Sequence, residues 1–435
     1  MSNKIWILEI GEPLPLEPDV RLHRYGQYSH FLGEKGWDVT WWTSSFSHAP
    51  KKHLVDEDCV KMHGKAKIQF IKGLGYPKNV SLARIRHNAH FAKRFLEMAE
   101  SYDKPDLIIA PVPTVNIAKA AVQFGKKHNV PVLTDIRDLW PDELVDILPK
   151  PARPLGRLLL TKSFKDMESV CKNATGIMGV SNDFIDYGLK FAKRQRGPND
   201  FLFPLGYSSK ALSPTDLEKG EKWFEKTFGT NTPFTICFIG TIGRFFDLKT
   251  VIDAARRLPK IRFVLAGEGS HLSIFKKMAE GLDNVYFPGW IKGPQIQALM
   301  KHSHVGLAPY CRDAKMTLPN KPFEYMAGGL PIISSLTGDL RDLIEEKGFG
   351  VNYQADSVDE LIQAIEKIKK NPNLQKEMGK KSRALLNERF STEIVFENTQ
   401  QFLKTFCKPK DQRSSQPSPT ATASGTPSAP MSTSH

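Results

Sequence analysis

Short apolar runs alternate along this chain with longer stretches in which apolar residues recur every three to four positions, and the whole alternation occurs twice. In the first half, KIWILEI (Lys4 to Ile10) predicts a buried strand and GEPLPLEPD a Pro-rich loop. Arg21 to Lys35 predicts a helix closed by Gly36, and Asp38 to Thr43 a second strand. Further strands are expected at Ile68–Ile71, Leu107–Ala110, Val132–Asp135 and Gly176–Val180, with helices at Ala83–Glu100 and Val115–Lys127. The second half repeats the order: FTICFIG (Phe234 to Gly240), the loop TIGRFF, a helix from Asp247 to Leu258, and IRFVLAG (Ile261 to Gly267). Strands follow at Val285–Phe287, Val305–Ala308, Pro331–Ser334 and Gly350–Tyr353.

Strands alternating with helices predict an α/β protein built on parallel sheets covered on both faces. The expected organisation is one Rossmann-like domain over 1–205, a second over 206–390, a C-terminal helix over 391–407 packing back on the first domain, and a disordered tail over 408–435. The tail is assigned on composition: KPKDQRSSQPSPTATASGTPSAPMSTSH contains no Val, Ile, Leu, Phe, Tyr or Trp to offset the entropy of ordering. A hinge is expected near Leu205–Ser209. Open parallel sheets bind ligands at the carboxyl ends of their strands, so two of them facing each other predict a site in the cleft between domains.

Composition narrows the classes. With 435 residues, 40% hydrophobic and 25% charged, the chain is long enough for two or three globular domains. No uncharged apolar window reaches membrane-spanning length, and Met1 to Ile10 lacks the layout of a signal peptide, so a cytoplasmic location is expected. Five scattered cysteines, none in a CxxC pair, predict neither a disulfide framework nor a zinc site. The formal net charge of +14 favours anionic partners such as phosphorylated substrates or anionic lipid. No nucleic-acid-binding module accompanies it, and nucleic acid is not expected as a partner.

Neither opening loop carries the GxGxxG of a dinucleotide fold, which disfavours a nicotinamide cofactor. The triplet Asp56-Glu57-Asp58 reads as a solvated loop rather than a metal holder. His87 with His90, and His302 with His304, read as helix-surface histidines without a third ligand. The informative segment is LPNKPFEYMAGGLPIISS, Leu318 to Ser335. Asn320 is a candidate N-cap, Pro322 fits the first helical turn, and Gly328-Gly329 ends the helix. Such a helix start offers free amides and partial positive charge to a diphosphate, with Lys321 adding a full charge. Glu324, one turn on, is an acceptor-only carboxylate suited to a ribose diol; the alternative is a surface Glu on an ordinary helix.

FIGTIGRFFDLKTVIDAA, FVLAGEG, NVYFPGWI, VGLAPY and NKPFEYMAGGLPII, in that order, resemble the nucleotide-sugar half of a family 4 glycosyltransferase of the GT-B fold. TDIRDLWPDEL (Thr134 to Leu144) and VSNDFIDYG (Val180 to Gly188) are similar to the bacterial branch that builds O-antigen, capsule or exopolysaccharide. The resemblance implies two Rossmann-like domains facing a cleft. It also implies retaining, metal-independent transfer of a sugar from a nucleotide diphosphate, UDP or less readily GDP, to a glycan or lipid-linked glycan, with no cofactor. Glu324 matches the family's ribose-holding glutamate, but the glutamate expected eight positions earlier is Met316, and the family's phosphate-binding Arg and Lys fall on Thr241 and Asp247. Arg244 and Lys321 are the substitutes in charge. Ile291 matches the position whose backbone reads the base, and Gly240, Gly243, Gly267 and Gly269 allow chain and ligand to approach closely.

For the acceptor and reacting centre, the resemblance draws in Gly11 and Glu12 at the end of the first strand, and Arg137, Asp138 and Trp140 of DIRDLWP at another. Asp138 is the candidate for orienting the acceptor hydroxyl or donor sugar; the alternative is an N-cap paired with Arg137. The departures at Met316 and the phosphate ligands keep a non-catalytic glycan-binding or scaffolding protein open, and a nucleotide-sugar epimerase shares the fold. Two basic stretches, Leu82–Ala99 and Arg153–Met167, combine cations with a continuous apolar face. They fit either peripheral docking on the inner membrane face or core-facing helices with solvated basic sides.

Overall fold

The computed structural model describes residues 2–16, 20–79, 81–208 and 212–407; the predicted tail and Ser209 of the predicted hinge lie outside these. The first domain contributes strands β1 (Lys4–Leu8), β2 (Asp38–Ser44), β3 (Phe46–Ser47), β4 (Lys52–His53), β5 (Cys59–His63), β6 (Ala66–Ile71), β7 (Leu107–Val112), β8 (Val132–Ile136), β9 (Gly176–Gly179) and β10 (Phe201–Leu202). Eight of them form one sheet in the order β10-β9-β8-β7-β1-β2-β6-β5. All its neighbours are parallel except β5, which turns back on β6, while β3 and β4 form a separate antiparallel pair. The second domain contributes β11 (Thr235–Ile239), β12 (Arg262–Ala266), β13 (Val285–Tyr286), β14 (Val305–Ala308), β15 (Ile332–Ser334) and β16 (Gly350–Asn352). These form a parallel six-stranded sheet ordered β13-β12-β11-β14-β15-β16.

The central strands are apolar throughout because both faces are covered: Ile5 to Leu8, Leu107 to Ala110 and Ile236 to Phe238 are fully buried. The first strand of each domain lies between its chain successor and a later strand, β1 between β2 and β7 and β11 between β12 and β14. At these switch points the connecting helices leave to opposite faces and open a crevice. The predicted helix at Arg21 starts instead at Arg24. His23 offers no side-chain cap, and the Glu12 carboxylate takes the Tyr25 and Gly26 amides at 2.9 and 3.1 Å.

Two chain crossings join the domains. Tyr207 donates its amide to the Phe390 carbonyl at 2.9 Å and accepts from the Thr392 amide at 3.2 Å, so the crossings run side by side. Beyond the second, the helix Thr392–Lys404 returns to the first domain, where Phe396 packs on Tyr28 with ring centroids 4.9 Å apart and Phe402 stacks on Phe201 at 4.3 Å. At the cleft, Asn182 donates its amide to Asp339 at 2.6 Å, the Thr317 hydroxyl donates to Ser181 at 2.9 Å, and Lys315 pairs with Asp146.

His87 is buried, accepting from the Gly75 amide at 3.1 Å, because its helix turns that face into the sheet; the surface reading is corrected. His302 pairs with Glu221 and stacks on Phe224, and His304 accepts from the Thr235 amide. Asp56 to Asp58 are exposed, and Asp58 is held by the Lys72 amide and by Arg94.

Candidate active site

The helix in the informative segment spans Asn320–Gly328. Asn320 is its first residue, not its cap: Pro319 holds the N-cap position and no side chain closes the end. An asparagine inside the first turn cannot fold back onto the amides of the next turn, so those amides stay free. The rest of the helix is anchored. The Tyr325 hydroxyl accepts from the Ile239 amide at 3.0 Å and donates to the Leu307 carbonyl at 3.1 Å, pinning the helix beneath β11 and β14. A Cβ at Gly306 would stand 2.3 Å from the Tyr325 ring, so only glycine admits this packing. Gly329 takes the left-handed conformation (φ 68°) that stops the helix.

Lys321 therefore projects beside the end of β11. Its ammonium lies 4.1 Å from the Phe246 ring centroid and 5.3 Å from that of Phe238, and among the described residues no carboxylate stands within ion-pair distance. Burial lowers it to about 8, opposed by the charge of Glu324. Gly240 carries φ 143°, a conformation that favours glycine, and a Cβ there would displace the end of the Lys321 side chain, whose Nζ would stand 2.2 Å away. Gly267 and Gly269 also have positive φ, and a Cβ on either would strike the backbone oxygen of Gly240 or Ile242. Gly243 faces open space. Glu324 is mostly buried between the domains. Burial raises its carboxyl, opposed by the Arg21 charge from the first domain, by Lys321, and by a hydrogen bond with the Tyr207 hydroxyl.

Other residues stand differently from the sequence reading. Arg244 is exposed and lies over Phe245 at 4.6 Å. Asp247 caps the helix Leu248–Arg257 through the Thr250 amide at 3.2 Å and accepts from the Asp356 amide, which explains an acid at that position. Ile291 is a core side chain of the second domain, leaving only its backbone for a ligand. Met316 packs partly buried against the same core.

In the first domain, the strand ends hold a buried charge network. Arg24 pairs with Asp135, which also accepts from the Tyr25 hydroxyl at 2.7 Å. Arg137 lies 3.1 Å from Glu9 and 2.8 Å from Glu12. Glu9 accepts from the Gly11 amide at 2.5 Å. Burial raises Glu9 to about 7, opposed by Arg137 and reinforced by Glu12 and Asp135. Once Glu9 holds its proton, two carboxylates remain to balance two guanidinium groups. Glu12 is thus a helix cap and ion-pair partner, and Arg137 is consumed within the network rather than paired with Asp138. Asp138 caps nothing: the next helix is Asp142–Asp146, preceded by Pro141. Asp138 is exposed, with no hydrogen bond or ion pair to described residues, and desolvation by the surrounding protein raises its carboxyl against the pull of Arg137 and Arg84. Sequence reasoning missed Glu9, Arg24, Asp135 and Tyr207. Glu9 and Asp135 carried a signal, each being a lone acid inside an apolar run.

A groove of about 960 Å³ leads away from this point between the domains, lined by Leu139, Tyr187 and Lys190 on one side and Lys315, Thr317 and Gly338 on the other. Two facing parallel α/β sheets with their strand ends across a cleft define the GT-B fold. Among solved structures the chain is similar to HepE of Anabaena in complex with UDP, with TM-score 0.65 and 15% identity over 93% of this chain and 100% of that one. Sucrose-phosphate synthase of Thermosynechococcus elongatus gives 0.65 and 16% over 93% and 99%. A glycosyltransferase of Rickettsia africae gives 0.64 and 14% over 93% and 98%. No curated protein sequence matches. Residues 220–385 match the family model described as glycosyl transferases group 1.

Proposed function

We propose that the protein transfers a sugar, with retention, from a nucleotide diphosphate sugar to a glycan or lipid-linked glycan acceptor in cell-surface polysaccharide synthesis. The observation that carries this is Lys321: a largely buried cation with no carboxylate partner among the described residues, beside the free amides of a helix start and Gly240. Removing a charge from water without a partner is costly unless an anion completes the site. The donor diphosphate supplies that anion. UDP is favoured over GDP, consistent with the UDP in the HepE structure. Glu324, oriented by the Tyr207 hydroxyl, accepts from the ribose diol.

As the bond from sugar to phosphate breaks, negative charge grows on the leaving diphosphate, and Lys321 with the helix amides stabilises it. Asp138, without a partner among the described residues, orients the acceptor hydroxyl, and the departing phosphate takes the proton. No metal or cofactor enters this scheme. Met316 at the donor-sugar position favours a second reading, a glycan-binding protein that does not transfer. Incubation with UDP-sugars and acceptor glycans separates the two: transfer releases free UDP only when both are present, whereas binding alone releases none. A thermal-shift screen of nucleotide sugars selects the donor, since a bound donor raises the melting temperature by mass action.

A further inference from the structure

We propose that the hairpin from Ile147 to Lys165 is a docking surface for an anionic lipid bilayer. This stretch contains Lys150, Arg153, Arg157, Lys162 and Lys165 and no Asp or Glu. The predicted single stretch Arg153–Met167 is broken at Leu160 into the helices Arg153–Leu159 and Thr161–Asn173. The first of these buries only Gly156. Leu155, Leu158 and Leu159, at i, i+3 and i+4 on one helix face, are 59%, 69% and 76% exposed. None of them joins a core cluster of the protein.

The other basic stretch resolves differently. Helix Leu82–Ala99 turns Phe91, Phe95 and Ala99 into the core, so most of it is structural, and only its first turns expose Leu82 and Ile85. That tip neighbours the hairpin: Arg84 lies 5.5 Å over the Trp140 ring, and Asp142, two residues on, pairs with Arg157 at 3.2 Å. Arg153 and Arg157 hold the hairpin to the body through Asp146 and Asp142. Lys150, Lys162 and Lys165 are exposed with no ion pair among the described residues.

An outward leucine ridge flanked by the exposed Lys150, Lys162 and Lys165, with Asp142 and Asp146 already paired to Arg157 and Arg153, complements a surface that is anionic at its top and apolar beneath. A second copy of the same face would set these cations against one another, which disfavours self-association as the occupant. Nor is any described helix long and apolar enough to cross a membrane, which leaves the ridge to rest at the interface. This inference goes beyond the sugar-transfer reading and stands without it. If that reading also holds, docking places the Asp138 strand end beside the bilayer, where a lipid-linked acceptor enters.

The test is flotation of the full chain with phosphatidylcholine vesicles, with and without about 30% phosphatidylglycerol. The wild type floats with the anionic vesicles, not with phosphatidylcholine alone, and is released by added salt. The triple variant Leu155→Ser, Leu158→Ser, Leu159→Ser loses at least about tenfold in partitioning, and Lys150→Gln, Lys162→Gln, Lys165→Gln loses a similar factor. Both variants keep the wild-type melting temperature and nucleotide affinity, because none of these side chains is buried or in the cleft. Failure of the wild type to float, or leucine variants that float as well as it does, overturns the proposal. So does a wild-type dimer by light scattering that the leucine variant abolishes.

Discussion

The two sets of strand ends that face each other across the cleft treat charge in opposite ways. In the first domain, Glu9, Glu12, Asp135, Arg24 and Arg137 interlock, and every charge has an opposite charge beside it. In the second, Lys321 has no carboxylate within ion-pair distance among the described residues, with Glu324 one turn away, and lies beside Gly240 and the Phe238 and Phe246 rings. A closed network fixes geometry, whereas an unmatched cation stores binding capacity. Under the proposed function the first wall serves as a scaffold behind Asp138, and the second wall serves as the anion receptor.

Breaking the scaffold carries the largest expected effect. Asp135→Ala leaves Arg24 buried and uncompensated, and the loss is about 3–5 kcal/mol, read as a lower midpoint in urea unfolding. The receptor side responds in binding rather than folding. Lys321→Ala weakens UDP by about 1.5–3 kcal/mol, roughly 10- to 150-fold by calorimetry, while thermal stability holds or rises because a buried charge is removed.

Glu9 sharpens the contrast through pH. Its carboxyl is raised in the folded state, so the folded protein prefers Glu9 protonated. The associated stability is present below its ordinary value of 4.5 and is lost as pH rises toward about 7. Glu9→Gln removes that loss, and the melting temperature of the variant relative to wild type is expected to climb between pH 5 and pH 8. A difference that stays flat would show that Glu9 is ionised throughout. The smallest effect is Tyr207→Phe, which takes one hydrogen bond from Glu324 and lowers nucleotide affinity by about 1 kcal/mol, about fivefold.

Much of the fold could be read from the chain because parallel strands buried on both faces are written as uninterrupted apolar runs, as in FTICFIG and IRFVLAG. β5 was not legible: CVKMH lies at an exposed sheet edge, and its pairing with β6 leaves no apolar alternation to read. The helix Asn320–Gly328 was legible through its proline and paired glycines, local punctuation that needs no tertiary partner. Its cap was misplaced by one position because Asn320 and Pro319 compete for the same boundary. Arg244, a candidate substitute for the displaced phosphate ligands, is exposed and lies over the Phe245 ring. The charge network escaped because Glu9 and Arg137, or Arg24 and Asp135, meet only after the sheet has ordered its strands.

The central claim is that the unmatched Lys321 cation receives a diphosphate. Calorimetric titration of the wild-type protein with UDP and with uridine, from pH 7 to pH 9.5, tests it most directly. UDP affinity is expected to start falling below about pH 8, where Lys321 has lost half its proton, and to steepen toward about tenfold per pH unit above it, with uridine, which lacks the diphosphate, falling far less. UDP that fails to bind, or that binds equally well at every pH in this range, would contradict the account.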